Sequence, residues 1–491
     1  MKGLAMNTSI APGVFDILPL YALPENINDQ WQASHLWNYV ESMIRITAAE
    51  YGFQEMRTPL FERTELFQRG VGETTDIVSK EMYTFQDKGG RSMSLRPEGT
   101  APAVRAFLES GCQQSAPVHK LYYIGPMFRY ERAQAGRYRQ HHQFGAEAIG
   151  SKAPEQDVEL IDMIYTLYNR LGLKNLQVDI NSIGDTACRI AYRKALQDYL
   201  RNRQEELSAD SKVRLELNPL RILDSKDPKD KEITASAPSI LDFLSEECKE
   251  HFIRVQSLLK LLGIPFHVNT SLVRGLDYYN RTVFEIVAGE LGAQNSIVGG
   301  GRYDGLLKTL GGPDLPATGF ATGLERVIQA MIKQGVPLPS PNAPDLFLIA
   351  LGNEARAACF SLLNQLRSKG ITASMDFSNR KINKIMQYAN QIKAEYVAVI
   401  GDEELKSGVI EIKQMSNGEK KTFPFNHLAS ILAYEKKNNA FLGSLNELSK
   451  PFEHQEEAEF FINTLSSTIA DTSKAAENLK HAFKSIQKLL E

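Results

Sequence analysis

The strand pattern of the first 334 residues is interrupted by a long helical stretch, and this interruption constrains the fold more than any other feature. From about residue 185 the pattern becomes helical and heavily charged, with the solvated run DSKDPKDKE in its middle. Strand-like segments resume at 266–273 and 282–287. We therefore expect one α+β domain assembled from residues 1–184 and 266–334, with a helical insertion at 185–265.

A second domain is predicted beyond a proline-rich, polar linker at 335–344. Strand and helix patterns alternate from 345 to 435, which is typical of an α/β unit. In residues 436–491, apolar or small residues recur at alternating spacings of three and four, which predicts a helical C-terminal extension. This extension is either a helix or helical hairpin packed on its own protein, or a coiled coil that binds a partner.

Length and charge exclude some classes of protein. A chain of 491 residues is expected to form about three domains at roughly 150 residues each. The formal net charge of −3 argues against a general nucleic-acid binder, so any RNA contact must come from local patches. No apolar run approaches the roughly 20 residues that cross a bilayer, and the N-terminus lacks a signal-peptide pattern. We expect a cytoplasmic protein without a membrane span.

The four cysteines, Cys112, Cys188, Cys248 and Cys359, are far apart in the sequence and form no CxxC or Cys/His cluster. This spacing predicts neither a disulfide framework nor a zinc site. We therefore expect a reducing compartment and no metal site held by the protein itself.

Four segments carry residues suited to chemistry. The first combines RPEGT, residues 96–100, with a basic connection in which five Lys/Arg and one acidic residue lie between His119 and Gln143. Such a connection is either a solvated hairpin or a set of arginines facing an anionic ligand, because guanidinium groups can bind phosphate through two parallel hydrogen bonds.

The other three segments are RGLDYY (274–279), GGGRYDGL (299–306) and GFATGLERV (319–327). RGLDYY places polar and aromatic groups together, as in a ligand pocket, although an ordinary strand end can have the same composition. The three glycines either let the backbone approach another group closely or form a hairpin. Arg326, in the first turn of a predicted helix, is either a nucleotide contact or a surface residue.

In combination and order, these segments resemble the histidyl-tRNA synthetases, a family of class II aminoacyl-tRNA synthetases. FRYER with its basic loop is similar to class II motif 2, GFATGLERV to motif 3, and the helix ending in FQEMRTP to motif 1. RGLDYY and GGGRYDGL resemble the two signatures particular to histidyl enzymes, and EMYTFQD, LRPEGTA, NSIG and NPLRILDSK are further matches. The resemblance covers roughly residues 10–433 and does not include the C-terminal extension.

The resemblance implies a catalytic domain on a six-stranded antiparallel sheet, an anticodon-binding domain at 345–435 and a homodimer formed through motif 1. It also implies the reaction. L-histidine and ATP give histidyl-adenylate and pyrophosphate, and the histidine then passes to the 3′ end of tRNA(His). Mg²⁺ is expected with the ATP phosphates.

By motif position, the resemblance makes Arg129 and Arg274 the catalytic residues. Arg129 would contact the α-phosphate of ATP and the carboxylate of histidine. Arg274 would supply a permanent positive charge in a role that other class II enzymes give to a metal ion. The implied ATP-binding residues are Arg129, Glu131, His141 and Arg326.

The implied histidine-binding residues are Glu98, Gly99, Thr100, Arg129, Gln143, Glu147, Arg274, Tyr278 and Tyr279. Of these, Glu98, Thr100 and Gln143 would bind the α-amino end. The carboxylate of Glu147 and the tyrosine hydroxyls would bind the imidazole, which has one N–H donor and one acceptor nitrogen. Such polar matching discriminates strongly, so no editing domain is required. Residues 299–301 would leave room beside the substrate.

For tRNA, the resemblance makes Arg132, Gln134 and Arg137 candidates to contact the acceptor end. In the anticodon-binding domain, Arg380, Lys381 and Lys384 either contact phosphate or form a solvated helix face.

The sequence departs from the family pattern at two positions. His141 stands where members commonly carry an aromatic carbocycle that stacks on adenine, and weaker stacking implies a lowered affinity for ATP. Ala133 replaces a frequent proline. Neither change removes a charged catalytic group.

Two rival functions belong to other classes of protein. One is the synthetase-like regulatory subunit of ATP phosphoribosyltransferase, which lacks an anticodon-binding portion. The other is a non-catalytic RNA-sensing module like that of some stress kinases, but no kinase signature is present in a suitable context. The complete RGLDYY segment and the predicted second domain favour the synthetase.

Overall fold

The structure is a computed structural model that describes residues 9–437, except 25, 74, 132–136, 290–295 and 379. The chain divides into two compact units between Pro341 and Asn342, inside the predicted linker. The C-terminal extension beyond residue 437 lies outside the described residues, as do Arg132 and Gln134.

The first unit is built on a large mixed β-sheet. In chain order its strands are β1 (Gln54–Glu55), β2 (Phe61–Arg63), β3 (Thr84–Gln86), β4 (Ser92–Leu95), β5 (His119–Phe128), β6 (Gln140–Ile149), β7 (Leu176–Ser182), β8 (Phe266–Val268), β9 (Asn280–Ala288), β10 (Ser296–Arg302) and β11 (Ala317–Gly323). Eight of them form one sheet in the order β1-β5-β6-β11-β10-β9-β7-β8, and β2, β4 and β3 form a separate small sheet.

The predicted sheet of six antiparallel strands is corrected by this topology. The six inner strands pair antiparallel in the order β5-β6-β11-β10-β9-β7. The edge strands β1 and β8 pair in parallel, so the sheet has eight strands and is mixed. These edge strands have only two and three residues, too few to produce a recognisable alternation in the sequence.

Four helices cover one face of this sheet. The α-helices of the unit are α1 (Ser34–Glu50), α2 (Thr64–Val71), α3 (Thr100–Ser110), α4 (Pro154–Arg170), α5 (Thr186–Arg201), α6 (Ala209–Leu217), α7 (Pro228–Thr234), α8 (Glu246–Leu261), α9 (Leu306–Thr309) and α10 (Leu324–Lys333). Helices α1, α4, α8 and α10 share one apolar core with the central strands. Among the described residues, none of the helices is both long and apolar enough to cross a membrane.

The two faces of the sheet differ because successive side chains on a strand alternate. Phe144 of β6 and Phe320 of β11 belong to the core under the helices, where their ring centroids are 5.3 Å apart. Their neighbours Gly145, Glu147 and Gly319 therefore lie on the opposite face. That face is free of the four helices and carries the candidate site.

The predicted insertion, residues 185–265, contains helices α5 to α8. The last of them packs with the sheet, since Phe252, Val255 and Leu259 of α8 are buried in the same core as the central strands. Helices α5 to α7 contribute instead to a second apolar cluster, which also contains Tyr279 and Tyr303. The sheet's core thus includes a helix from the predicted insertion, because α8 leads directly into the edge strand β8.

The second unit is an α/β domain. Its elements are β12 (Leu346–Ala350), α11 (Asn353–Ser368), β13 (Ala373–Met375), α12 (Ile382–Gln391), β14 (Tyr396–Ile400), α13 (Asp402–Ser407), β15 (Val409–Gln414), β16 (Lys420–Pro424) and a helix at 428–437. The strand order is β13-β12-β14-β15-β16, with parallel pairing among the first three strands and antiparallel pairing among the last three. The alternation predicted from the sequence is confirmed for β12 to β14.

A buried ion pair ties strand β10 to helix α4. Arg302 and Asp157 are both fully buried, and Nη2 of Arg302 donates to Oδ1 of Asp157 at 2.7 Å. Nη1 of Arg302 also donates to the carbonyl of Ser151 at 2.8 Å, and Thr282 Oγ1 donates to Asp157 at 2.8 Å. The arginine of the GGGRYDGL segment is therefore a structural residue.

Replacing Arg302 with Met should lower the free energy of unfolding of the first unit by about 3–5 kcal/mol, because Asp157 would remain buried without the compensating charge of the guanidinium group. The measurement is urea denaturation monitored by tryptophan fluorescence. The two tryptophans of the chain, Trp31 and Trp37, are both buried in this unit and report its unfolding.

Arg254→Ala is the matched control. Arg254 also pairs with an acid of α4, since its Nη2 lies 2.8 Å from Glu155 Oε1, but both side chains are about half exposed. We expect this variant to lose less than about 1 kcal/mol. Equal losses in the two variants would contradict the structural role of Arg302.

Candidate active site

Glu147 lies at the centre of the helix-free face. Its side chain is fully buried on β6, and Oε1 accepts hydrogen bonds from Thr100 Oγ1 at 2.8 Å and Tyr123 OH at 3.1 Å. The hydroxyl of Tyr303 donates to Oε2. Burial raises the pKa of Glu147 to about 8, although these hydroxyls stabilise the ionised form. A carboxyl group in this setting can accept a further polar ligand, and no cationic side chain among the described residues pairs with it.

Two glycines make room for the Tyr123 ring. A Cβ atom added to Gly99, in the RPEGT segment, or to Gly145, on β6, would overlap that ring. Gly99 therefore shapes the pocket because it has no side chain. A Cβ on Gly319 would meet the Glu147 carboxylate in the same way.

Tyr123 and Tyr303 were not singled out from the sequence. Tyr303 lies inside GGGRYDGL, so the motif itself was a signal. Tyr123 lies in an apolar strand, where an aromatic residue is interpreted as part of the core. No local pattern distinguishes it, because its role depends on Gly99 and Glu147.

Glu98 is buried at the start of helix α3. Its two carboxylate oxygens accept the backbone N–H groups of Thr100 and Ala101 at 2.8 and 2.9 Å. Burial raises the pKa of Glu98, and these N–H groups and Arg129 oppose the rise. Each oxygen keeps a lone pair for another donor, so capping the helix does not use up the carboxylate.

The two tyrosines of RGLDYY lie beside this pocket. The ring centroids of Tyr278 and Tyr279 are 4.6 Å apart, and Tyr278 lies 5.6 Å from Tyr303. Helix α5 supports the loop, since Nη1 of Arg189 donates to the carbonyl of Tyr279 at 2.9 Å. The predicted imidazole-binding residues are thus brought together with Tyr303.

Arg274 is oriented by an ion pair in which its Nη1 donates to Glu285 on β9. Among the described residues, its buried Nε atom has no hydrogen-bond partner. A Cβ on Gly299 would overlap the Arg274 guanidinium. We predicted that residues 299–301 leave room beside a substrate; at Gly299 that room is occupied by Arg274 instead.

A cavity of about 240 Å³ is lined by Gly299, the residue against which the Arg274 guanidinium packs. The predicted site residues that line it are Arg129, Glu131, Arg137, His141, Gln143 and Arg326. The Nε of Arg129 donates to the carbonyl of Pro97 at 2.8 Å, and Nη1 of Arg326 donates to the carbonyl of Ser296 at 2.8 Å. Three arginines around one small cavity favour an anionic ligand.

Two polar residues complete the cavity. Nη1 of Arg137 lies 3.3 Å from Oε2 of Glu131. The Oε1 atom of Gln143 is buried and, within the described part of the chain, has no hydrogen-bond partner. An acceptor left open in this position suits an amine or hydroxyl donor from a ligand.

His141 is held neutral in the cavity wall. Burial lowers the pKa of His141 well below its ordinary value, and Arg129, His142 and Arg326 lower it further. A neutral imidazole can stack on a flat heteroaromatic ring without adding another positive charge to the three arginines.

Glu325 is a further residue that the sequence did not single out. Its Oε1 atom accepts the backbone N–H of His142 at 2.7 Å and lies 3.0 Å from Nδ1 of that residue. Helix α10 is thereby fastened to β6, which keeps Arg326 at the cavity. The acid next to a predicted functional arginine was visible in GFATGLERV, but its partner was not.

Comparisons with known proteins identify the family of this chain. The family model described as histidyl-tRNA synthetase matches residues 31–327, and a model described as anticodon binding domain matches residues 345–435. A histidine–tRNA ligase of Protochlamydia amoebophila is 62% identical over 427 residues, which cover 87% of this chain and 100% of the relative. Another from a Geobacillus species is 50% identical over 81% of this chain and 94% of the relative.

A solved structure is also similar. The crystal structure of apo histidyl-tRNA synthetase from S. aureus aligns with a TM-score of 0.72 and 39% sequence identity, covering 87% of this chain and 99% of that chain. The two family models together span the residues that line the cavity and the residues of the second unit. This chain therefore belongs to the histidyl-tRNA synthetase family, and it is an aminoacyl-tRNA ligase that activates histidine with ATP and charges tRNA with it.

Proposed function

We propose that histidine and ATP react between the Glu147 pocket and the arginine-lined cavity, with Arg129 and Arg274 as the catalytic residues. One observation carries this assignment. Three arginines line a cavity whose wall includes Gly299, the residue against which Arg274 packs, and a buried carboxyl ringed by hydroxyls lies on the same face of the sheet. The first part suits phosphates, and the second suits a polar heteroaromatic side chain.

The activation step joins two anions, because the histidine carboxylate attacks the α-phosphorus of ATP and pyrophosphate leaves. Arg129 would neutralise both groups as they approach, and Arg274 would stabilise the charge that develops at phosphorus. Mg²⁺ enters with the ATP phosphates as part of the substrate. Glu285 would position Arg274 through their ion pair.

Histidine recognition would depend on Glu147. Three hydroxyls donate to this carboxyl, and the imidazole N–H would replace one of them. Tyr278 and Tyr279 would supply the hydroxyl for the acceptor nitrogen, and Gly99 would leave space for the Tyr123 ring. Glu98, Thr100 and Gln143 would bind the α-amino group, for which Gln143 keeps an open acceptor.

The nucleotide would occupy the cavity. His141, kept neutral by its surroundings, would stack on adenine, and Glu131 would accept from the adenine amino group. Arg326 would contact the nucleotide from the other side. The departure at His141 thus preserves a flat, uncharged surface, although its stacking area is smaller than that of a carbocycle.

Two regions would contact tRNA. Arg137, whose side chain is exposed beside the cavity, would meet the acceptor end, together with Arg132 and Gln134 outside the described residues. In the second unit, Lys381 and Lys384 are exposed at the start of α12. Arg380 is already held by Asp376 at 2.7 Å, so the two lysines would make the phosphate contacts.

We further propose that the protein is a cytoplasmic homodimer assembled around the predicted motif 1. Three apolar side chains are exposed near this segment: Leu60 by 45%, Phe61 by 51% and Phe85 by 44%. The rings of Phe61 and Phe85 lie 6.3 Å apart on the small sheet. Grouped apolar side chains of this kind favour a protein interface.

Arg274→Ala should reduce the histidine-dependent exchange of labelled pyrophosphate into ATP by roughly 10²- to 10³-fold, because a preorganised positive charge would be lost. The dissociation constant of histidine should change much less. Arg254→Ala, which removes an exposed arginine, is the control and should exchange normally. Near-normal exchange by the Arg274 variant would contradict its catalytic assignment.

Glu147→Gln should raise KM for histidine by about 10- to 100-fold with little change in KM for ATP, because one carboxyl oxygen is replaced by an amide NH2 group, which donates and cannot accept the imidazole N–H. Steady-state exchange kinetics measure both constants. An equal rise in the two would indicate a general structural defect.

The pH dependence of this variant gives a second measurement. Without ligand, the pKa of Glu147 is about 8 in the folded protein, against an ordinary value of 4.5 for glutamate. The folded state therefore binds the proton more tightly, and its stabilising effect is lost as pH rises through about 8. Compared with Glu147→Gln, the unliganded wild type should lose stability between about pH 5 and pH 9. A constant difference in unfolding free energy would contradict the raised pKa.

Replacing both Lys381 and Lys384 with Ala should weaken tRNA binding while pyrophosphate exchange stays unchanged. The slope of log affinity against log salt should become shallower by about 1 for each lost phosphate contact. Nitrocellulose filter binding across a salt series measures this. Lys369→Ala, at an exposed lysine after α11, is the control. An unchanged salt slope in the double variant would leave α12 as a solvated face.

Sedimentation velocity at micromolar concentration should show a dimer, and Phe61→Asp should shift it towards monomer by placing a charge in the apolar patch. A wild-type monomer would contradict the proposed assembly.

A further inference from the structure

Two cysteines that are far apart in the sequence meet in the structure. Cys188 lies in the first turn of α5 and Cys248 in the first turn of α8, and both are buried. Their sulfur atoms and a carboxylate oxygen of Asp185 all lie within 4.8 Å of one another. This group lies outside the cavity and the Glu147 pocket.

The two helix N-termini hold the group together. Asp185 caps α5 by accepting the N–H of Cys188 at 2.9 Å, and Ser245 caps α8 by accepting the N–H of Cys248 at 3.4 Å. The caps are linked, since Ser245 Oγ donates to Asp185 Oδ2 at 3.2 Å. The backbone N–H of Ser245 donates to the Cys188 sulfur at 3.1 Å. Such N–H groups and helix N-termini stabilise thiolates.

One spacing between donor atoms matches that around a small tetrahedral cation. Zinc–sulfur bonds of about 2.3 Å and zinc–oxygen bonds of about 2.0 Å place the two ligand atoms roughly 3.5 Å apart in a tetrahedron. The Cys248 sulfur lies 3.5 Å from Asp185 Oδ2. Asp185 is only partly buried, which leaves access for water as a fourth ligand.

We propose that Asp185, Cys188 and Cys248 bind a thiophilic divalent cation such as Zn²⁺, with water as the fourth ligand. Each thiol releases its proton to solvent when the metal binds. The sequence predicted no zinc site because the cysteines form no local cluster. The chain instead brings them together through two helix caps.

The bound cation would brace the histidine pocket. Arg189, one residue after Cys188, donates to the carbonyl of Tyr279 at 2.9 Å. Gly184, just before Asp185, accepts the N–H of Arg281 at 2.8 Å. A cation that joins α5 to α8 would therefore fix the segment on which the RGLDYY loop rests.

The experiment is a Co²⁺ titration of the full chain, freed of metal and kept reduced, followed by the sulfur-to-cobalt charge-transfer absorption. We expect the chain to bind one equivalent of Co²⁺. The intensity of the charge-transfer band should correspond to two thiolate ligands. Cys188→Ser and Cys248→Ser should each weaken binding by about tenfold or more. Asp185→Asn keeps a good helix cap and removes the charge, so it should weaken binding without unfolding α5.

Cys112→Ser and Cys359→Ser are the matched controls and should leave the band unchanged. The proposal is overturned if no band forms, or if the band persists in Cys188→Ser and Cys248→Ser. X-ray absorption of the zinc-loaded wild-type chain needs no variant and should show two sulfur ligands. A coordination shell without sulfur would also overturn the proposal. So would a Cys188–Cys248 disulfide that persists under reducing conditions.

Discussion

The two-sided character of the central sheet is the constraint on which the rest of the structure depends. Alternating side chains put Phe144 and Phe320 into the core under four helices, and put Gly145, Glu147 and Gly319 on the other face. The apolar side makes the sheet rigid enough to hold polar groups in place. The glycines on the other side create the space in which those groups meet. Core packing and pocket shape thus both follow from the alternation of side chains along each strand.

Two buried carboxylates on this framework show how local partners decide between structure and function. Burial alone would raise the pKa of Asp157, but Arg302 and His251 lower it below its ordinary value, so this acid stays charged and joins α4 to β10. Glu147 is equally buried, but its donors within the described part of the chain are hydroxyls, and its pKa rises to about 8. The paired acid contributes to stability. The unpaired one is available to a ligand that brings its own donor.

Much of the proposed site could be predicted from the sequence through the family resemblance, because its residues lie in short segments with characteristic order, such as the arginines of FRYER, RGLDYY and GFATGLERV. The alternation of the second unit was predictable for the same local reason. The edge strands β1 and β8 were not, since strands of two or three residues carry too little pattern. Tyr123 was missed because its meaning depends on Gly99 and Glu147, which approach it only after folding.

The sequence by itself determined the family, because membership depends on the presence and order of short motifs, and through that resemblance it indicated the residues that we propose to bind the two anions. Only the tertiary structure decided which distant groups come into contact. These are Tyr303 with Glu147, Glu325 with His142, and Cys188 with Cys248 and Asp185. Such pairs join residues far apart in the chain. Their contact depends on strand order and helix packing, which no local spacing encodes.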